Sequence, residues 1–92
     1  MNITEIRIRP VKSGGKTRAI ASITFGDSFV VKELRVVEGP SGLFVSMPSR
    51  KTGNGGYRDI AHPITSEARE EIQGVILAEF EKQINNAEVI VH

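Results

Sequence analysis

Residues 18–37 read RAIASITFGDSFVVKELRVV, and the alternation of apolar side chains on either side of Gly26 decides the fold class. In the first half, Ala19, Ala21, Ile23 and Phe25 fall at every second position, which puts them on one face of an extended strand. Gly26 and Asp27 interrupt the run with residues suited to a turn, so the two halves are expected to pair as a hairpin. The second half is longer and mixed. Val30, Lys32, Leu34 and Val36 face one way and Phe29, Val31, Glu33, Arg35 and Val37 the other, a pattern that suits a strand passing from a core into an interface.

Working outward, residues 1–10 alternate in the same way, with Thr4, Ile6 and Ile8 on one face and Glu5, Arg7 and Arg9 on the other. Ser13-Gly14-Gly15-Lys16 reads as the turn into the next strand. Downstream, Gly39-Pro40-Ser41-Gly42 is a turn, and LFVSM at 43–47 is a near-continuous apolar run. That run predicts a central strand buried on both faces, with Leu43, Phe44, Val45 and Met47 inside it and Pro48 ending it. SRKTGNGG at 49–56 has three glycines and no apolar residue, which predicts an exposed, mobile loop, and a short strand is expected over 57–60. After Pro63, either Thr65 or Ser66 can cap a helix whose first turn holds Glu67 near the amide ends. Ala68, Ile72, Val75, Ile76, Phe80 and Ile84 then recur at helical spacing, with Leu77 widening the stripe. Asn85-Asn86 is expected to stop the helix, leaving AEVIVH at 87–92 as a final strand or a frayed end. The fold read from the chain is α+β: one domain over 1–92, an antiparallel sheet of about five strands over 1–60, a C-terminal helix over 66–85 and a short tail at 86–92.

With 92 residues, a single domain buries only about 60–65% of its unfolded surface, so its core is thin. That thinness, the two-faced strand and the wide helix stripe together predict a homodimer. There is no cysteine, which excludes a disulfide staple, a thiolate nucleophile and the usual small-domain zinc sites and points to a reducing, cytoplasmic setting. No apolar run is long enough to span a bilayer, and the charged opening MNITEIRIRP does not resemble a signal peptide, so the mature protein is expected to begin near Met1 with no membrane insertion.

The net charge of +1 conceals a segregation. Residues 1–58 hold ten basic side chains against four acidic ones, and residues 59–92 hold two basic against seven acidic. A basic body joined to an acidic helix can attract polyanions on one surface while the whole stays near neutral.

Several motifs of catalytic type fail on context. Gly14-Gly15-Lys16-Thr17 resembles the end of a phosphate-binding P-loop, yet Pro10 stands where the first glycine belongs and a strand follows where a helix is required. Gly53, Gly55 and Gly56 lack the strand-then-helix setting of a dinucleotide fingerprint. Asp59, His62 and Ser66 are sequence neighbours across a proline, which seldom gives the convergent geometry of a triad, so His62 is read as hydrogen-bonded near the helix entry. The Glu67, Glu70 and Glu71 group reads as a solvated helix face. No catalytic residue, metal ligand set or cofactor is expected. The basic features remain: Arg50 and Lys51 open the glycine-rich loop and Arg58 follows it, so three cations flank a backbone able to track a phosphate chain. Arg7 and Arg9 share a face of the first strand and join them as candidate nucleic-acid contacts, arginine being the better phosphate partner because its planar fork bonds two oxygens.

The stretch from RAIASITF through GLFVSMPSRKTGNGGYRDIAHPI resembles the bacterial SpoVG family, stage V sporulation protein G, over nearly the whole chain. Ser46 departs from the alanine common there, and the family's variable tail is short here. The resemblance implies a dimer of antiparallel sheets with a C-terminal helix, no enzymatic activity, and roles in septation, sporulation and gene expression. It also implies DNA or RNA binding through the positions matching Arg50, Lys51 and Arg58; Arg7 and Arg9 come from the strand pattern alone. Two functions follow as alternatives: a dimeric nucleic-acid-binding regulator, or a protein-interaction adaptor of the division or sporulation machinery whose nucleic-acid binding is incidental.

Overall fold

The computed structural model describes residues 2–12 and 15–91, with side chains described as far as Ile84. Four strands, β1 (Ile3–Pro10), β2 (Thr17–Phe25), β3 (Phe29–Gly39) and β4 (Gly42–Ser46), form one sheet in the order of the chain. A second, two-stranded ribbon follows, made of β5 (Ser49–Lys51) and β6 (Tyr57–Asp59), and the helix α1 covers Ser66–Val91. All neighbouring strands are antiparallel. The architecture is α+β, as the sequence indicates, with the strands divided four and two. The expected turn at 13–16 falls partly outside the described residues. Thr17 opens β2, so the glycine–lysine segment before it does lead into a strand.

The alternation in β2 is realised as read: Ala19, Ala21 and Ile23 are buried and Phe25 packs against the same core. Register extends these positions into rows across the sheet, Ile8 beside Ala21 beside Leu34, and Ala19 beside Val36 beside Val45. Ile72, Ile76 and Phe80 of α1 close the core from above this face, together with Met47 after β4. The helix packs chiefly over the two edge strands, β1 and β4. Gln73 also accepts a 3.5 Å hydrogen bond from the amide of Val45, tying α1 to β4. Ala19 and Ala21 are the small residues of the sheet centre, and burying them completely lets the helix sit close.

Three expectations are corrected. The first concerns β3, whose alternation changes phase. Ile23 pairs with Val31 whereas Ala21 pairs with Leu34, so one residue is inserted between them, and Glu33 adopts a left-handed φ of 70°. This β-bulge lets Val31 and Leu34 both contribute to the core, so the two faces exchange part-way along the strand, while Phe29 and Val30 at its start stay exposed. Second, β4 is an edge strand, so LFVSM is not central and only Val45 and Met47 are buried. Phe44 lies opposite Val37 and remains 42% exposed. Its ring lies against Gly39, where a Cβ would stand 2.9 Å from the ring edge. Third, α1 continues past Asn85 and Asn86, which is compatible with helix energetics because asparagine costs only a fraction of a kcal/mol relative to better formers and neither glycine nor proline follows.

At the other end of α1, Thr65 is the cap: its Oγ1 accepts from the Ala68 amide at 3.1 Å and its carbonyl from the Arg69 amide at 3.1 Å. No helix among the described residues is long and apolar enough to cross a membrane.

Candidate functional site

The segment 49–56, expected as a mobile loop, is a structured hairpin. Ser49 pairs with Asp59, Arg50 with Arg58 and Lys51 with Tyr57. Its turn is closed by the Thr52 amide donating to Gly56 O at 2.8 Å and the Gly55 amide to Thr52 O at 3.2 Å, with the Thr52 hydroxyl on Asn54 Oδ1. Gly55 takes φ of 87°, a conformation that side chains rarely adopt, so glycine is required there.

This register places two arginines directly across from each other. Cross-strand partners share a face, so Arg50 and Arg58 project together, and Lys51 projects with Tyr57 from the opposite face. All four residues are exposed, and among the described residues none of the three cations is in an ion pair. Like charges directly opposite weaken a two-stranded ribbon. An anion seated between them reverses that term, because two guanidinium forks can grip one phosphate. A depression of about 350 Å³ lies at this end of the ribbon, lined by Arg50, Lys51, Thr52, Arg58, Asp59 and Ile60.

Arg7 and Arg9 lie elsewhere. They project from β1 on the sheet face that the helix leaves bare, where Arg9 pairs with Ile20 and Ile20 with Arg35. Arg7 is in an exposed ion pair with Glu5, whose Oε2 lies 3.2 Å from its Nε. With Lys32 and Arg35, which the strand pattern did not single out as contacts, this bare face is a second basic surface, interrupted by Glu5 and Glu33. Arg35 and Ser49 line a further depression, with Phe29 and Ile60, that links β3 to the root of the ribbon. The structure thus brings Arg50 and Arg58 together, sets Lys51 on the reverse side, and keeps Arg7 and Arg9 on a separate strand at the far edge from β4.

The hydrolase-like set does not assemble. His62 is exposed and its Nδ1 donates to Pro63 O at 3.1 Å, a bond at the helix entry. Among the described residues no group of three or more His, Cys, Asp or Glu side chains could hold a metal ion. Glu67, Glu70 and Glu71 are exposed on the first turns of α1.

Comparison with known proteins bears on the whole chain. The family model for SpoVG matches residues 1–82. The chain belongs to the SpoVG family. A relative from Clostridium acetobutylicum, named "Putative septation protein SpoVG", is 54% identical over 88 residues, 96% of this chain and 93% of its own length. Relatives of the same name from Clostridium perfringens and Agathobacter rectalis are each 55% identical, over 85 and 86 residues, covering 92% and 94% of this chain and 94% and 99% of theirs. The SpoVG match takes in the whole sheet, the ribbon and most of the helix, so both basic surfaces fall inside the family region.

Proposed function

We propose that this SpoVG-family chain is a cytoplasmic, homodimeric regulator that binds DNA or RNA through phosphate contacts and acts in septation, sporulation and gene expression without covalent chemistry of its own. The observation that carries the reading is the pairing of Arg50 with Arg58 across an exposed ribbon, with no acidic partner among the described residues. An isolated like-charge pair has no stabilising role in the ribbon, whereas a polyanion uses both cations. Lys51 adds a third contact, and Arg7 and Arg9, with Arg35 between them and the ribbon, extend the basic surface. The septation role rests on the names of the relatives. The homodimer is supported by apolar side chains left in solvent, among them Phe29, Ile60 and Ile64. Two copies would double the ribbon and let individually weak contacts add.

A salt titration tests the reading. Binding of the wild type to an unrelated duplex should weaken linearly in log–log form, and replacing Arg50, Lys51 and Arg58 together by alanine should reduce the slope by roughly two to three per subunit, at about 0.9 per phosphate contact. The variant should fold normally, since these exposed charges lie outside the core. An unchanged slope removes the ribbon from the contact and leaves Arg7 and Arg9 as the candidates. A wild type that binds neither DNA nor RNA at low salt refutes the reading.

A second reading, an adaptor for division or sporulation proteins, is favoured by one observation. An apolar cleft of about 190 Å³ opens between the sheet and the helix entry, lined by Phe25, Val31, Met47, Ala61 and Pro63, and Ile64 beside it is 88% exposed.

A further inference from the structure

Tyr57 is the only tyrosine in a chain without tryptophan, and it stands on the ribbon 73% exposed. Among the described residues its hydroxyl makes no hydrogen bond and its ring belongs to no part of the core. The fold therefore gains little from it. Its neighbour across the strands is Lys51, so an aromatic face and a cation project side by side, on the reverse of the ribbon from Arg50 and Arg58. The two faces differ in chemistry. The arginine face offers only charge and suits any phosphate, whether its base is paired or not. The tyrosine face offers a π surface, which can be used only by a base whose own face is uncovered, and bases within a duplex are covered on both sides by their neighbours.

The tip of the ribbon adds a separate indication. Gly53 has an ordinary backbone conformation and nothing lies within 4 Å of where its Cβ would be, so the fold does not require glycine at that position. With Gly55 and Gly56 it leaves the tip nearly free of side chains, an outline past which a flexible sugar–phosphate chain can run close to the backbone.

We propose that Tyr57 is a base-stacking residue and that the Lys51–Tyr57 face of the ribbon binds an unpaired nucleotide, Lys51 taking its phosphate and Tyr57 its base. The protein accordingly prefers single-stranded nucleic acid to a duplex of the same sequence. The inference rests on the phosphate-binding reading of the ribbon and adds to it a stacking residue and a strandedness.

The test compares the full chain on a labelled 20-nucleotide single strand of mixed sequence and on its duplex, by fluorescence anisotropy at low salt. Tyr57→Ala should weaken single-strand binding about 5- to 150-fold, the range for loss of one stacked base, and change duplex binding by less than about twofold. Tyr57→Phe should retain single-strand binding, because the ring remains. The tyrosine fluorescence, which comes from Tyr57 alone, should be quenched on saturation with the single strand and little affected by the duplex. Circular dichroism confirms that each variant is folded. Equal losses on both substrates, no loss on either, or saturation without quenching each overturn the inference. If duplex binding falls in the Arg50, Lys51 and Arg58 variant while Tyr57→Ala leaves the single strand untouched, the phosphate reading survives and the stacking role does not. If the wild type binds neither substrate, both fall together.

Discussion

Phe44 and Phe80 provide a matched pair for testing where the core ends. Phe80, on α1, is 3% exposed, and Phe44, on the edge strand β4, is 42% exposed. Truncating a fully buried phenylalanine to alanine costs about 3–5 kcal/mol, including the cavity left behind, and Phe80→Ala should fall in that range. For Phe44 the arithmetic differs. An aromatic side chain buries about 150–250 Å² when fully covered, so with 42% of the residue exposed roughly 90–150 Å² is withdrawn from water. At about 25 cal/mol per Å² this is about 2–4 kcal/mol, reduced by the area alanine retains and by residual burial in the unfolded chain. The open side of the ring admits water, so no cavity forms. Phe44→Ala should therefore cost about 1.5–2.5 kcal/mol, roughly 2 kcal/mol less than Phe80→Ala. In urea denaturation with a slope near 1.5 kcal/mol/M, the midpoints of the two variants should differ by more than about 1 M. Equal losses would refute the reasoning, because Phe44 would then be covered by something outside its own chain.

Two further predictions concern the backbone. Glu33 holds φ of 70° at the bulge, so Glu33→Gly should leave stability within about 0.5 kcal/mol of wild type, whereas Glu33→Val, favourable in an ordinary strand, should cost about 1–2 kcal/mol because a β-branched side chain resists this conformation. Thr65→Ala removes the hydroxyl that accepts from Ala68 and should cost about 1 kcal/mol in thermal or chemical unfolding, with Thr65→Asp restoring most of it.

The parts of the fold that were legible are those governed by a single period. Ala19, Ala21 and Ile23 alternate without interruption, and Ile72, Ile76 and Phe80 keep helical spacing, so both faces could be read directly and both are buried. Alternation failed at Glu33 because the inserted residue is not glycine, and nothing else in KEL signals a left-handed backbone. It failed at Leu43 and Phe44 because an apolar run does not reveal whether a strand has one neighbour or two; β4 has only β3. The basic residues of the candidate site were visible as composition, but the opposition of Arg50 and Arg58 depends on the turn from Thr52 to Gly56, which a glycine-rich stretch does not announce. Lys32 and Arg35 are not legible as contacts because a strand with charges on both sides gives no cue to which face stays bare.

The sheet order β1-β2-β3-β4 follows the chain, so every strand pairs with its immediate neighbour in sequence. Each hairpin can close over a short loop, and only the docking of α1 joins distant segments. Such local connectivity favours rapid formation of the sheet. Synthesis runs from the N-terminus, so the residues of the sheet precede those of the helix that covers them. A sheet formed ahead of helix docking leaves Ile23, Leu34, Val36 and Val45 as an uncovered apolar surface, closed only by Ile72, Ile76 and Phe80. A chain in that half-folded state is most open to mispairing, and its basic ribbon lies in the sequence between the sheet and the helix that seals the core.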